Sequence, residues 1–214
     1  MYKTILFDLD GTLTESGEGI MKSVQYALEK IGKREDNLDN LRVFIGPPLL
    51  EQFMSYASID KETAKLCVKY FRERFSTKGI FENKLYPNVE YVLKTLKDKG
   101  YLLAVSSSKP EFFVLQILEY FNIKKYFDEV VGSTLDEKRT AKSEVIYETL
   151  NRMNLLNNRE YVLMVGDRKH DIIGANSQDI DCLAVSYGYG SISELKNSKP
   201  LKIINSIDEI LEIL

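Results

Sequence analysis

The feature that most constrains the fold is an alternation of apolar and amphipathic segments, which runs from residue 87 to the end of the chain. Short apolar segments bounded by turn residues are typical of strands buried on both faces, and strands that alternate with helices predict a parallel sheet with crossover helices. An apolar strand at the start of the chain precedes this region. The sequence therefore predicts an α/β fold with strands at 5–7, 101–105, 129–131, 161–165, 182–185 and 202–204.

Residues 15–84 interrupt this pattern and contain no clear strand. Ile20, Val24 and Leu28 recur at helical spacing within 17–31, and further helices are predicted to begin near Pro48 and Asp60. We therefore expect two domains: a core formed by 1–14 and 85–214, and an inserted, small all-helical domain formed by 15–84.

The composition of the chain argues against large charged partners. Its formal net charge is -3 and its pI is about 5.4, so the sequence indicates neither a nucleic-acid surface nor a membrane surface. No uninterrupted apolar run has the roughly 18 residues that a membrane-spanning helix needs. We expect a cytoplasmic protein, either monomer or homodimer, whose partner is a small molecule.

Polar residues follow the predicted strands at the points where these strands end. Because the carboxyl ends of parallel strands meet at one edge of a sheet, where ligands bind in open α/β folds, these residues are candidates for a common site. They are Asp8 and Asp10, the serines 106–108, Lys142 near a helix start, and Asp167 with Asp171.

In this order, the clusters resemble the four motifs of the haloacid dehalogenase-like hydrolase superfamily, and within it the capped phosphatases similar to phosphoglycolate phosphatase. The resemblance implies a three-layer Rossmann-like core, with 15–84 as a helical cap. The matching segments are Asp8-Leu9-Asp10-Gly11-Thr12, Ser107-Ser108-Lys109-Pro110, Lys142, and Gly166-Asp167-Arg168-Lys169-His170-Asp171.

Asp8 and Asp10 receive different roles in this interpretation. A carboxylate can attack phosphorus and form an aspartyl-phosphate, so Asp8 is the expected nucleophile. Asp10 is the expected general acid, and then the base that activates water. The dehalogenases of the superfamily lack an aspartate at the second position and its ion-pumping ATPases carry threonine there, so Asp10 favours phosphatase or mutase chemistry.

The remaining motif residues are expected to neutralise the charge of the phosphate. Hard oxygen ligands suit Mg²⁺, and the resemblance implies side-chain ligands from Asp8 and Asp167, the backbone carbonyl of Asp10, and a direct or indirect contact from Asp171. Lys142 would place a positive charge on the phosphate. Phosphate-binding hydroxyl and amide groups are expected from Ser107 and Ser108, with Ser106 as the alternative hydroxyl donor.

Substrate choice is expected to lie in the helical insertion, where Gly46, Pro47 and Pro48 resemble a specificity loop. The sequence thus predicts a Mg²⁺-dependent phosphatase that acts on a phosphoglycolate-like, nucleotide-like or sugar-phosphate-like metabolite. Two alternatives remain: a β-phosphoglucomutase-like phosphotransferase, which shares the nucleophile, acid and cap, and a non-catalytic phosphate-binding module.

Overall fold

Six parallel strands form the main sheet, in the order β5-β4-β1-β6-β7-β8. The computed structural model describes residues 1–136 and 138–214, and within them the chain divides into two units, Met1–Thr14 with Leu85–Leu214 and Glu15–Lys84. Two short strands, β2 and β3, pair in a separate sheet. The strands are β1 (Thr4–Phe7), β2 (Thr14–Glu15), β3 (Lys84–Leu85), β4 (Leu102–Pro110), β5 (Glu129–Ser133), β6 (Val162–Gly166), β7 (Asp181–Val185) and β8 (Lys202–Ile204).

β1 lies between β4 and β6, so the strand order reverses on either side of it. Phe7 is in register with Val105 of β4 and Val165 of β6, which brings the carboxyl ends of the three strands to one level. A crevice outside the strand ends at such a switch point is where open α/β sheets bind ligands.

Helices flank this sheet. One apolar cluster joins Leu6 of β1 and Met164 of β6 to Ile146 and Ile172 on two of these helices, and all four side chains are fully buried. The predicted α/β fold with a parallel, Rossmann-like sheet is confirmed. The helices of this unit are α4 (Val89–Asp98), α5 (Glu111–Tyr120), α6 (Lys142–Arg152), α7 (Lys169–Asn176), α8 (Ile192–Asn197) and α9 (Ile210–Ile213).

The unit Glu15–Lys84 is helical. Its elements are α1 (Gly17–Lys30), a 3₁₀ helix (Leu38–Phe44), α2 (Leu49–Ala57), α3 (Lys61–Arg74) and a π-helical turn (Phe75–Gly79). Asp60 caps α3 by accepting hydrogen bonds from the backbone N–H groups of Glu62 and Thr63, both at 2.9 Å, and such a cap contributes about 1 kcal/mol. The rings of Phe44 and Phe53 pack in its core with centroids 4.9 Å apart.

The predicted end of β4 differs most from the structure. β4 continues to Pro110 instead of ending at 105, because its last residues still pair with β5. The helix predicted to begin near Asp60 is α3, which ends at Arg74 and passes into the π-helical turn. The last helical segment begins as a 3₁₀ turn (Ile207–Glu209) before α9. Within 1–136 and 138–214, no helix is both long and apolar enough to cross a bilayer.

Candidate active site

The residues after β1 form a tight turn that presents two carboxylates. The backbone N–H of Asp8 still donates to Val165 O of β6 at 2.9 Å, so Asp8 extends the sheet by one residue. Gly11 then adopts φ +86°, and a Cβ placed on it would lie 2.2 Å from Asp167 Oδ2. Both the backbone conformation and the close approach require glycine at this position.

Lys142 is the first residue of α6 and its ammonium group lies among three acceptors. Its Nζ is 2.8 Å from Asp8 Oδ1, 2.8 Å from Asp171 Oδ1 and 2.9 Å from the carbonyl oxygen of Ser106. Burial alone would lower the pKa of Lys142, but Asp171 and Asp8 outweigh it and the pKa is raised. The charged, ammonium form of Lys142 is therefore favoured inside the protein.

Asp167 and Asp171 come from the turn between β6 and α7. Asp171 Oδ2 accepts a hydrogen bond from the backbone N–H of Arg168 at 2.9 Å, so this residue caps α7 while its Oδ1 faces Lys142. Asp167 Oδ2 accepts from the backbone N–H of Tyr189 at 2.7 Å. Each carboxylate thus has one oxygen fixed by the backbone and the other directed elsewhere.

Asp8, Asp167 and Asp171 suit a divalent cation. Each has a carboxylate oxygen within 4.8 Å of the others, and all three are buried. If all are ionised, Lys142 leaves two negative charges uncompensated. Burial, reinforced by the charges of Asp171 and Asp8, raises the pKa of Asp167 well above its ordinary value, and Asp167 Oδ1 has no hydrogen-bond partner among the described residues. An all-oxygen set of this charge fits Mg²⁺.

The segment from Tyr187 to Gly190 contacts Asp167 and the turn after β1. Its backbone supplies the N–H of Tyr189, and a Cβ on Gly188 would lie 2.4 Å from Asp167 Cβ and 2.4 Å from Gly11 O. Tyr187 donates its hydroxyl to Thr12 O at 2.8 Å, which ties the same segment to the turn after β1. No residue type signals a backbone donor, so this hydrogen bond could not be predicted from the sequence.

Replacing Gly188 with alanine should therefore weaken cation binding. The added methyl group must push against Asp167, and disturbing a group that orients a ligand costs about 10–100-fold in metal affinity. A calorimetric Mg²⁺ titration measures the effect. Gly100→Ala is the control: a Cβ on Gly100 meets no atom within 4 Å, so this variant should keep its Mg²⁺ affinity, although the positive φ of Gly100 should make the substitution cost some stability. Equal affinities for G188A and the unmodified protein would contradict the assignment.

The serines at the end of β4 point in different directions. Ser106 is fully buried and its Oγ lies 3.1 Å from Thr149 Oγ1 of α6. The single hydroxyl proton of Thr149 goes to Val145 O at 2.8 Å, so the hydroxyl of Ser106 donates to Thr149 Oγ1 and is already used. Ser107 lies one residue further along, and its Oγ accepts from the backbone N–H of Lys109 at 3.4 Å, which leaves its own hydroxyl proton available. This arrangement favours Ser107 over Ser106 as a hydroxyl donor to a ligand.

Asp10 lies apart from the three-carboxylate cluster and forms an ion pair with Lys109. Lys109 Nζ is 2.9 Å from Asp10 Oδ2, and both side chains are largely buried, with 8% and 14% of their surface exposed. In the sequence, Lys109 is recognisable only as part of the second motif. The pair depends on the path of β4 after Ser106, which the sequence pattern does not reveal.

Two further residues near the motifs face elsewhere. Arg139 donates to the carbonyl oxygen of Gly132 from Nε at 3.1 Å and from Nη2 at 3.0 Å, and it lies near Glu111, so it ties its loop to β5. His170 is exposed on α7. Neither residue joins the carboxylate cluster.

The predicted specificity loop belongs to the helical unit. Gly46 has φ +103°, and Pro48 is the N-cap residue of α2. A proline immediately before the first turn suits a helix start because it has no N–H to leave unpaired. A role for Gly46, Pro47 and Pro48 in substrate choice stays a prediction.

Comparison with known proteins agrees with this geometry. Residues 5–185 match the profile of the haloacid dehalogenase-like hydrolases. A 5′-nucleotidase from Pseudomonas aeruginosa is 40% identical over 213 residues, which cover 100% of this chain and 96% of that protein. A phosphoglycolate phosphatase from Psychrobacter arcticus is 29% identical over 222 residues, which cover 98% of this chain and 94% of that protein.

A solved structure is similar over the whole chain. The crystal structure of a predicted phosphatase from Clostridium acetobutylicum is 45% identical, with a TM-score of 0.95 over 100% of this chain and 98% of that one. The strand ends that carry the acids therefore belong to a shared architecture.

Proposed function

Because this chain belongs to the haloacid dehalogenase-like hydrolase family, we propose that it is a Mg²⁺-dependent phosphatase that hydrolyses a small phosphorylated metabolite. In this proposal the phosphoryl group passes first to Asp8, forming an aspartyl-phosphate, and then to water. Dehalogenases belong to the same superfamily, so the proposal depends on the site and not on the fold alone.

One observation carries the proposal: Asp8 shares a buried cluster with two further carboxylates and Lys142. A lone carboxylate would repel a dianionic phosphate. Lys142 and a divalent cation held by Asp8, Asp167 and Asp171 would offset that repulsion, and such electrostatic stabilisation is the main source of catalysis in phosphoryl transfer.

The two carboxylates after β1 divide the chemistry. A carboxylate oxygen of Asp8 attacks phosphorus while the bond from phosphorus to the leaving oxygen breaks, and Asp10 donates a proton to that oxygen. In the second half, Asp10 removes a proton from water, the water oxygen attacks the aspartyl-phosphate, and Asp8 leaves as the carboxylate. Asp10 and Asp8 have different cationic partners, Lys109 and Lys142.

The other residues would bind and orient the phosphate. We assign the cation to the side chains of Asp8, Asp167 and Asp171 and to the carbonyl oxygen of Asp10. When bound, Mg²⁺ supplies positive charge to the phosphoryl oxygens and orients them for in-line attack. The hydroxyl of Ser107 and the amide of Ser108 would donate to the same oxygens.

The names of the two relatives described above suggest two substrate classes. The relative that is 40% identical is named 5′-nucleotidase, and the one that is 29% identical is named phosphoglycolate phosphatase. We therefore propose a nucleoside 5′-monophosphate as the first candidate and phosphoglycolate as the second. Phosphate release from a panel of both classes and of sugar phosphates, compared by kcat/KM, ranks them.

Removing divalent cations should abolish the activity. Treatment with EDTA is expected to reduce phosphate release from p-nitrophenyl phosphate by at least ~100-fold, because charge stabilisation worth several kcal/mol is lost, and added Mg²⁺ should restore it. Full activity in EDTA would overturn the proposed function.

Thermal unfolding supplies a second measurement that does not depend on turnover. The pKa of Asp167 in the cation-free protein is raised, so the protonated group stabilises the folded state at low pH, and this contribution is lost as the pH rises through the folded pKa. A cation binds the deprotonated carboxylate. The rise in Tm on adding Mg²⁺ should therefore be larger at about pH 8 than at about pH 5. The opposite order would contradict a cation at Asp167.

A further inference from the structure

Two buried lysines divide the acids of the site into two sets. Lys142 lies 2.8 Å from Asp8 and from Asp171, whereas Lys109 lies 2.9 Å from Asp10. The nucleophile and the general acid proposed above thus have separate cationic partners. The role of Lys142 follows from the charge of the phosphate, but that of Lys109 does not.

Stability gives no sufficient reason for the Lys109–Asp10 pair. Removing two charges from water costs several kcal/mol per ion, and apolar residues of similar volume often replace a buried ion pair with no loss of stability. The two side chains are only 8% and 14% exposed, so most of that cost applies here. The Lys109–Asp10 pair is therefore better explained by a role in the candidate active site.

A local irregularity of β4 places Lys109. Positions 106 to 110 of β4 lie opposite positions 131 to 133 of β5, so β4 has two more residues than its partner over this interval. The extra residues bulge, and the backbone N–H of Lys109 donates to Ser107 Oγ at 3.4 Å. Bulges next to active sites re-aim side chains, and here the lysine reaches the turn after β1.

The pair also makes the two oxygens of Asp10 different. Oδ2 lies against Lys109, whereas Oδ1 is buried and has no hydrogen-bond partner within the described part of the chain. From this asymmetry we infer that Lys109 is a positioning residue: it holds Asp10 by Oδ2 and leaves Oδ1 as the atom that exchanges a proton with the leaving group and with water. The inference rests on the proposed function.

Leaving-group dependence tests this role. The p-nitrophenolate ion leaves readily without a proton, whereas the leaving group of phenyl phosphate needs one. For Lys109→Met, kcat/KM, which reports the steps up to phosphoryl transfer, should fall by ~10–100-fold with phenyl phosphate and by less than ~3-fold with p-nitrophenyl phosphate, because only the first reaction depends on a well-placed acid. Lys109→Arg, which keeps the charge, should recover at least part of the phenyl phosphate activity.

The controls separate this inference from the function on which it rests. Lys97→Met removes an ion pair of similar length, 2.7 Å to Asp128, on α4 and should leave both substrates unaffected. Asp10→Asn should discriminate between the substrates in the same direction as K109M; if it does not, the assignment of Asp10 as the acid fails. If D10N discriminates and K109M does not, the inference about Lys109 alone fails.

One further result with K109M would contradict the inference about Lys109. An equal loss with both substrates in K109M would mean that Lys109 binds the phosphate group, which overturns a positioning role. Should K109M fail to fold by circular dichroism, Lys109→Gln keeps a polar tip on the same stem and is compared on the same two substrates. For K109Q, the result expected from the inference and the results that would contradict it are the same as for K109M.

Discussion

Replacing Asp8 with asparagine should lower the rate of phosphate release by at least ~10⁴-fold. Losses of at least this order are seen when the covalent nucleophile is removed from an enzyme whose catalytic residues act together. The amide has nearly the shape of the carboxylate but cannot attack phosphorus at a useful rate. Lys142 would keep its contacts with Asp171 and Ser106, so the fold should survive. Steady-state release from p-nitrophenyl phosphate measures the effect.

A matched variant and a trapping experiment complete this test. Asp98→Asn removes an exposed aspartate that pairs with Lys94 on α4 and should keep full activity. In the unmodified protein, mass spectrometry after acid quenching should find a phosphoryl group on the peptide that contains Asp8. Activity of D8N above about 1% of the unmodified protein, or a phosphoryl group on another residue, would place the nucleophile elsewhere.

The position of Asp8 and Asp167 at one edge followed from the sequence for a simple reason. Each comes directly after an apolar segment that could only be a buried strand, and the strand–helix alternation required those strands to be parallel. Parallel strands bring their carboxyl ends together whatever the order of the sheet. The edge on which the acids meet was therefore predictable without the order β5-β4-β1-β6-β7-β8.

The role of Lys142 could not be predicted from the hydrophobic periodicity of its helix. It is the first residue of α6, a position at which lysine is ordinarily solvated, and only the order of the motifs singled it out. Its burial and its three acceptors depend on how α6 packs beside β4, a long-range contact with no local signal.

The contacts that Lys109 and Tyr189 make have no signal in the sequence, for different physical reasons. The Lys109–Asp10 pair depends on a bulge in β4, and bulges depend on strand register, which a single sequence fixes poorly. Tyr189 contributes a backbone N–H, a group that every residue except proline has. Residue type identifies the acids of this site, but the groups that orient them are set by backbone geometry.

Replacing Lys142 with methionine should affect both catalysis and stability. Methionine keeps most of the apolar stem and removes the charge, so Asp8, Asp167 and Asp171 would lie together with no cationic partner of their own. Deleting one member of a buried ion pair costs about 3–5 kcal/mol, and loss of a preorganised positive group lowers kcat/KM by ~10²–10³-fold. Urea unfolding in EDTA measures the first effect and phosphate release the second.

Mg²⁺ should separate the two effects in K142M. A cation that binds the three carboxylates replaces part of the missing charge, so Mg²⁺ should stabilise this variant more than it stabilises the unmodified protein. Lys124→Met, which removes the exposed pair with Glu119, should change stability by less than about 1 kcal/mol. If Mg²⁺ restores the stability of K142M but not its rate, the ammonium group acts on the transferring phosphoryl group. Recovery of both would reduce Lys142 to a counter-ion that holds the carboxylates together.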